Sequence, residues 1–256
     1  AVRFLSKASF GATDAEAQEL LRVGYSAWVR DEFSKPLNPQ LPRLLAAGVQ
    51  RGSNFTSPNE PVITWQDFVE GDDQLRQRVM FALSQILVVG DDTTGNLIGR
   101  SFSLGYYRDI LLENAFGNYR DLLEDVTYSP AMAPYLTYLF NERGDPARNR
   151  LPDENYAREL MQLLTIGLDE LNPDGTRRLD GANQPIPTYT SADVQGLARV
   201  FTGIGLKGFA FGFNGRDADA FYSPIQIYPA FHEDGEKRFL GVTIPAGTGA
   251  ATSIDT

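Results

Sequence analysis

The amino-acid sequence predicts a mainly α protein: an irregular multi-helix bundle with a loop-rich, aromatic-rich C-terminal section containing a few short strands. Three observations carry that prediction. Apolar residues recur at three- and four-residue steps in several windows, as at Leu75, Val79, Ala82, Leu83 and Ile86. Two Thr-x-x-acid boxes, Thr13 to Glu16 and Thr190 to Asp193, precede such windows, and this spacing lets hydroxyl and carboxylate satisfy the free N–H groups of a first helical turn. From Gly203 onward the helical period is lost, and Phe209, Phe211, Phe213, Phe221, Tyr222, Ile225, Ile227 and Tyr228 stand among Gly and Pro.

Taken in order, the first box opens a helix through Leu20, Leu21 and Val23, which Gly24 stops. A second helix covers 25–33, with Trp28, Val29 and Phe33 inward. Residues 35–63 are rich in Pro, Gly, Asn and Ser and read as a long loop with a short helix over 42–49. Asp72 or Asp73 caps a strong helix reaching Gly90, and another helix covers 103–116. Asn118 restarts a helix through Leu122, Leu123 and Val126. Ser129 and Pro130 start one whose core face is Met132, Tyr135, Leu136 and Leu139. Residues 141–151 form a polar loop with three Arg.

That loop leads into the helix of residues 152–167. Asp153 or its neighbour starts it, Gly167 stops it, and Tyr156, Leu160, Leu163 and Leu164 give it an apolar face. Glu154 and Arg158, four apart, pair along one side, and Asn155, Glu159 and Gln162 lie along another. Turn sequences at Asn172-Pro173-Asp174-Gly175 and Asp180-Gly181-Ala182-Asn183 suggest a small hairpin. The second box then opens a helix with Val194, Leu197 and Phe201 as its stripe. No internal repeat and no linker-like break divides the 256 residues, so the sequence reads as a single helical domain over 1–256.

The net charge of -10 argues against nucleic acid or an anionic membrane as partner, because both reward clustered Lys and Arg. No apolar run approaches the roughly 20 residues of a transmembrane helix. The absence of Cys removes disulfides, thiolate catalysis and Cys-ligated metal centres.

Two places hold candidate chemistry. The first is Glu154, Arg158 and Glu159: two carboxylates beside an Arg can do acid–base work, bind a cation, or serve as a structural ion pair. The second is His232, the only histidine, beside Glu233, Asp234 and Glu236. A His among acids can ligate a divalent metal or act as a base, although a catalytic zinc usually draws on several His. No organic cofactor is predicted. The loop 170–176 resembles the front of a calcium loop but has Gly181 where the last Glu belongs, so a plain turn is the better reading; residues 214–219 make a weaker case still.

The run Asp153-Glu154-Asn155-Tyr156-Ala157-Arg158-Glu159-Leu160-Met161-Gln162-Leu163, followed by Thr165-Ile166-Gly167, resembles the signature of a bacterial family known as domain of unknown function 1800. Arg3-Phe4-Leu5, Ala8-Ser9-Phe10-Gly11, Phe116-Gly117-Asn118-Tyr119-Arg120-Asp121, Phe201-Thr202-Gly203 and His232 with Gly235-Glu236-Lys237 extend the likeness along nearly the whole chain. The resemblance implies a mostly helical protein exported to the periplasm or beyond the cell. It also implies a neighbouring exported, sulfatase-related protein as partner and further helices beyond Thr256. It carries over Glu154, Asn155, Arg158, Glu159 and His232 as signature positions without a role. It implies no activity; the residues themselves leave two expectations, a carboxylate-based hydrolase acting on a glycan or other polymer, or a non-catalytic scaffold or cell-surface binding module.

Overall fold

The computed structural model describes residues 1–48, 60–90, 100–212 and 219–256. Among these, twelve α-helices and four short strands give the mainly α architecture that the helical spacing predicts. Phe213 and most of the 214–219 segment lie outside the described residues. Contacts group the chain into two compact units, Ala1–Met132 with Phe221–Ser223 and Ala133–Ala220 with Pro224–Thr256.

The first unit contains α1 (Val2–Ala8), α2 (Asp14–Val23), α3 (Tyr25–Ser34), α4 (Gln40–Gly48), α5 (Glu60–Glu70), α6 (Gln74–Ser84), α7 (Arg100–Glu113) and α8 (Tyr119–Thr127). The capping box of α2 forms as predicted, with Thr13 Oγ1 accepting the Glu16 N–H and Glu16 accepting the Thr13 N–H. Leu5, Ala17 and Leu20 pack with Phe4 and Trp28, and Leu44, Ile63 and Phe102 pack with Leu41, Leu45 and Tyr222.

Three buried carboxylates tie these helices together. Asp109 of α7 accepts the Gln40 and Leu41 N–H groups at 2.6 and 2.9 Å and so caps α4 from outside. Glu32 of α3 accepts the Leu75 N–H at 3.0 Å at the start of α6 and holds Lys35. Asp67 of α5 takes the Arg43 guanidinium and the side-chain amides of Gln40 and Asn38.

These polar ties account for two departures from the periodicity reading. Helix α5 occupies residues assigned partly to a loop. Its outward positions include Val62, Trp65 and Val69, while Asp67 is buried beside Ile63 and Phe68, so its inward face is mixed rather than apolar. In α6 the buried positions are Gln77 and Met80 rather than the stripe through Leu75 and Ile86; Ile86 is exposed, and Gln77 turns inward to bond Asp73. The regular helix ends at Ser84, short of Gly90.

In the second unit the helix expected over 130–139 is one turn, α9 (Met132–Tyr135). Thr137 and Phe140 take left-handed φ values of 65° and 60°, which a continuing helix does not allow. The signature helix is α10 (Asn155–Gln162), with the Asp153 carboxylate accepting the Asn155 N–H at 2.8 Å. Its buried positions are Tyr156, Ala157, Met161 and Leu164; Leu163, expected inside, is 65% exposed. The face is rotated because Tyr156 stacks on Tyr138 at 4.2 Å and meets Phe201 edge-on at 4.7 Å. Gly167 adopts φ +77° as expected, beyond the end of the regular helix.

Residues 168–188 form a small exposed meander tied by Glu170 N–H to Ile186 O, Arg178 N–H to Glu170 O and Ile186 N–H to Arg178 O. The calcium-like segment within it is a turn: Asp174 spends its carboxylate on the Thr176 N–H and hydroxyl. Helix α11 (Ser191–Ala198) carries the second capping box, and Val194, Leu197 and Phe201 are buried as predicted. Two antiparallel pairs follow, β1 (Ile204–Gly205) with β2 (Gln226–Ile227) and β3 (Lys237–Phe239) with β4 (Val242–Ile244), then α12 (Ala250–Asp255).

Candidate functional site: a paired-charge cleft in the second unit

Three segments distant in sequence are locked together by Asn141, Thr202 and Gly203. Asn141 is buried; its Oδ1 accepts the Asp153 N–H at 2.8 Å and its Nδ2 donates to Phe201 O at 3.1 Å. This fixes the start of α10 against the end of α11. Gly203 sits at φ +72°, and a Cβ there would stand 2.6 Å from the His232 nitrogen, so only glycine lets the 228–232 segment close over this point. The Thr202 hydroxyl donates to Arg199 O at 2.8 Å and accepts the Glu233 N–H at 2.9 Å.

The side chains these locks position surround a cleft of about 770 Å³, walled by α11, β3 and the 144–154 segment. Its polar lining is Glu154, Gln195, Arg199, Glu233, Glu236 and Arg238. All five charged members are in ion pairs: Arg199 with Glu233 at 3.3 Å, Arg238 with Glu236 at 2.5 Å, and Glu154 with Arg158 at 2.8 Å. Glu233 is the most firmly held. Burial by itself would raise its carboxyl, but the Gly235 N–H, the hydrogen bond and charge of Arg199 and the Gly144 N–H outweigh burial and hold it below the usual carboxylate range. It stands in the cleft as a fixed, ionised acceptor.

The four residues singled out from the sequence separate here. Glu154 lines the cleft, and Arg158 pairs with it as the four-residue spacing predicts. Glu159 is half-buried on the same helix, with an Oε2 that has no hydrogen-bond partner among the described residues, and it does not line the cleft. His232 is 2% exposed and is also outside the lining. Its Nδ1 lies 3.0 Å from Thr202 O. The Thr202 hydroxyl hydrogen is already given to Arg199 O, so Nδ1 carries the proton and Nε2 holds a bare lone pair, unpartnered among the described residues. Burial, reinforced by the Lys237 charge, pushes the imidazole below its usual range against the Thr202 carbonyl and the neighbouring acids, so it is neutral at pH 7. Lys237 itself is fully buried in β3, and burial likewise lowers its ammonium.

Sequence reading noted Glu233 and Glu236 only as neighbours of His232 and missed Gln195, Arg199 and Arg238. Nothing in their local pattern marks them: the first two read as the polar side of α11, and Arg238 as a surface strand residue. Glu124 and Asp125 are engaged by Arg120 and Asn114 within the first unit. Among the described residues no group of three or more His, Asp or Glu is arranged to hold a metal ion.

The first unit has a larger depression, of about 870 Å³, bordered by Trp28, Glu32 and Phe68 among others. Its buried acid, Glu32, is already spent on Lys35 and the start of α6. The convergence of three distant segments on fixed charges makes the second-unit cleft the stronger candidate.

The family model described as protein of unknown function (DUF1800) matches residues 3–255. No curated protein and no solved structure matches the chain.

Proposed function

We propose that this chain, which belongs to the DUF1800 family, is a binding module for an uncharged glycan held in the cleft walled by α11 and β3. The observation that carries the reading is the pairing of every charged residue in the lining. Such a surface presents fixed donors and acceptors with little net charge, which suits hydroxyl-rich ligands better than anions or cations. Glu233, held ionised by Arg199 and two backbone N–H groups, accepts hydrogen bonds well and has no proton to deliver as a general acid.

A second reading, glycan hydrolysis by paired carboxylates, is favoured by one observation: Glu154 and Glu233 line the same cleft. Export to the periplasm or cell surface and a sulfatase-related partner belong to either reading, on the family resemblance; fractionating cells and copurification check them.

The test is a binding array of neutral, anionic and cationic oligosaccharides with the purified protein. Neutral sugars are expected to bind, and Arg199→Ala, which frees Glu233, to weaken them at least tenfold. Binding confined to charged sugars, or none at all, rejects the proposal. Chromatography of the bound sugars after incubation separates the two readings: shortened products that vanish in Glu154→Gln establish hydrolysis.

A further inference from the structure

We propose that the cleft is one half of a longer track, and that its ligand is a linear glycan chain lying across Gly144. The inference rests on the glycan reading above and deepens it from a sugar to a polymer.

A second depression, of about 560 Å³, is formed by the 142–150 loop and the 230–234 segment of the same unit. It shares two lining residues with the cleft, Gly144 and Glu233. Each depression alone has the size of a small-ligand site; joined at a shared glycine and a shared carboxylate, they form a track.

Three features fit that track to a sugar chain. The charged residues of the second depression are paired like those of the first: Arg143 with Asp234 at 2.6 Å, Arg148 with Asp145 at 3.4 Å, and Arg150 with Glu142. Both halves therefore offer hydrogen bonds without strong net charge. Phe231 lines the second depression, and its ring is held rigid by stacking on Phe211 at 3.9 Å. A fixed, half-buried aromatic ring is the kind of surface on which the apolar face of a pyranose stacks. At the junction stands a residue with no side chain, whose N–H braces Glu233.

A peptide is the less fitting occupant. The outer edge of β3, where an extended backbone would pair, is covered by α11: a Cβ on Gly196 would lie 1.7 Å from Arg238 O.

Gly144 also provides the experiment. A Cβ there would meet Glu233 Oε2 at 3.7 Å and Arg150 O and Pro152 Cδ at 3.8 Å, all ordinary contacts. Gly144→Val builds from that position to add bulk at the junction, and a thermal melt checks that the variant folds. Neutral oligosaccharides of glucose, N-acetylglucosamine, mannose and xylose, in lengths of about two to eight units, are titrated by calorimetry. Filling both halves is expected to raise affinity on the order of 10²-fold from the shortest to the longest chain. Gly144→Val is expected to abolish that rise. Arg148→Ala, an exposed substitution in the lining of the second depression and outside the first, is expected to reduce it.

Affinity independent of length overturns the track and leaves the cleft reading standing. So does a rise that neither variant alters. If neither neutral oligosaccharides nor neutral peptides bind, both fall. If neutral peptides of matching length bind with the same rise while glycans do not, the track stands for another polymer and the glycan proposal is rejected.

Discussion

The two units use one device to different ends. In each, carboxylates are drawn out of water and held by several donors. In the first unit Asp109, Glu32 and Asp67 serve helix starts and a neighbouring Arg, all within the packing of α3 to α7. In the second, Glu233 is held by comparable means, two backbone N–H groups and an Arg, yet it faces an open cleft. The lesson is that a well-bonded buried acid is not by itself a functional sign. Its protein partners can exhaust it, as at Asp109, or hold it in place for something else.

Substitutions sharpen that contrast. The largest effect is expected at Asp67→Ala, which strands Arg43 and the side chains of Gln40 and Asn38 at once. About 3 kcal/mol should be lost in urea unfolding, the usual scale for breaking a buried pair from one side. A loss below about 1 kcal/mol would mean that water replaces the carboxylate and that the tie is not structural.

Asp109 comes next, through pH. Burial pushes its carboxyl up to about 6, aided by the charge of Glu113 and opposed by the Gln40 and Leu41 N–H groups and Arg43. Between about pH 4 and pH 6 the folded chain therefore binds a proton there that the unfolded chain does not, so this group's contribution to stability grows as pH falls through that window and is lost as pH rises through 6. Its size is on the order of 2 kcal/mol. Urea titrations of the parent and Asp109→Asn across the window should differ in slope; parallel curves refute the assignment.

Glu233→Gln should cost less in unfolding, about 1 kcal/mol, because an acceptor oxygen remains and the cleft admits water. The difference between Asp67 and Glu233 measures how far the cleft acid is exempt from structural duty. The smallest effect is expected at Arg158→Ala, a partly exposed pair at helical spacing worth about 0.3 kcal/mol. A loss above about 2 kcal/mol there would show the signature helix to be held by that pair after all.

The legible parts of the sequence were those written in local spacing. Both capping boxes, the Glu154–Arg158 pair and the loss of helical period after Gly203 depend on residues within a few positions of one another, and each is present. What escaped was written across distance. Helix α5 buries Asp67 among Ile63 and Phe68 because it answers Arg43, and α6 turns Gln77 inward for Asp73, so hydrophobic periodicity pointed the wrong way in α6. The cleft is assembled from residues near 144–154, 192–199 and 233–238, joined by Asn141 and Thr202. No local pattern announces Arg199 as the partner of Glu233, 34 positions along the chain.

The contact between Gly196 and the Arg238 carbonyl acts as a stop that sets the cleft's gauge. Gln195 and Arg199 flank that glycine on one jaw, and Glu236 and Arg238 stand on the other. A methyl at position 196 would stand 1.7 Å from that backbone carbonyl, so the close approach of α11 to β3 depends on the missing side chain.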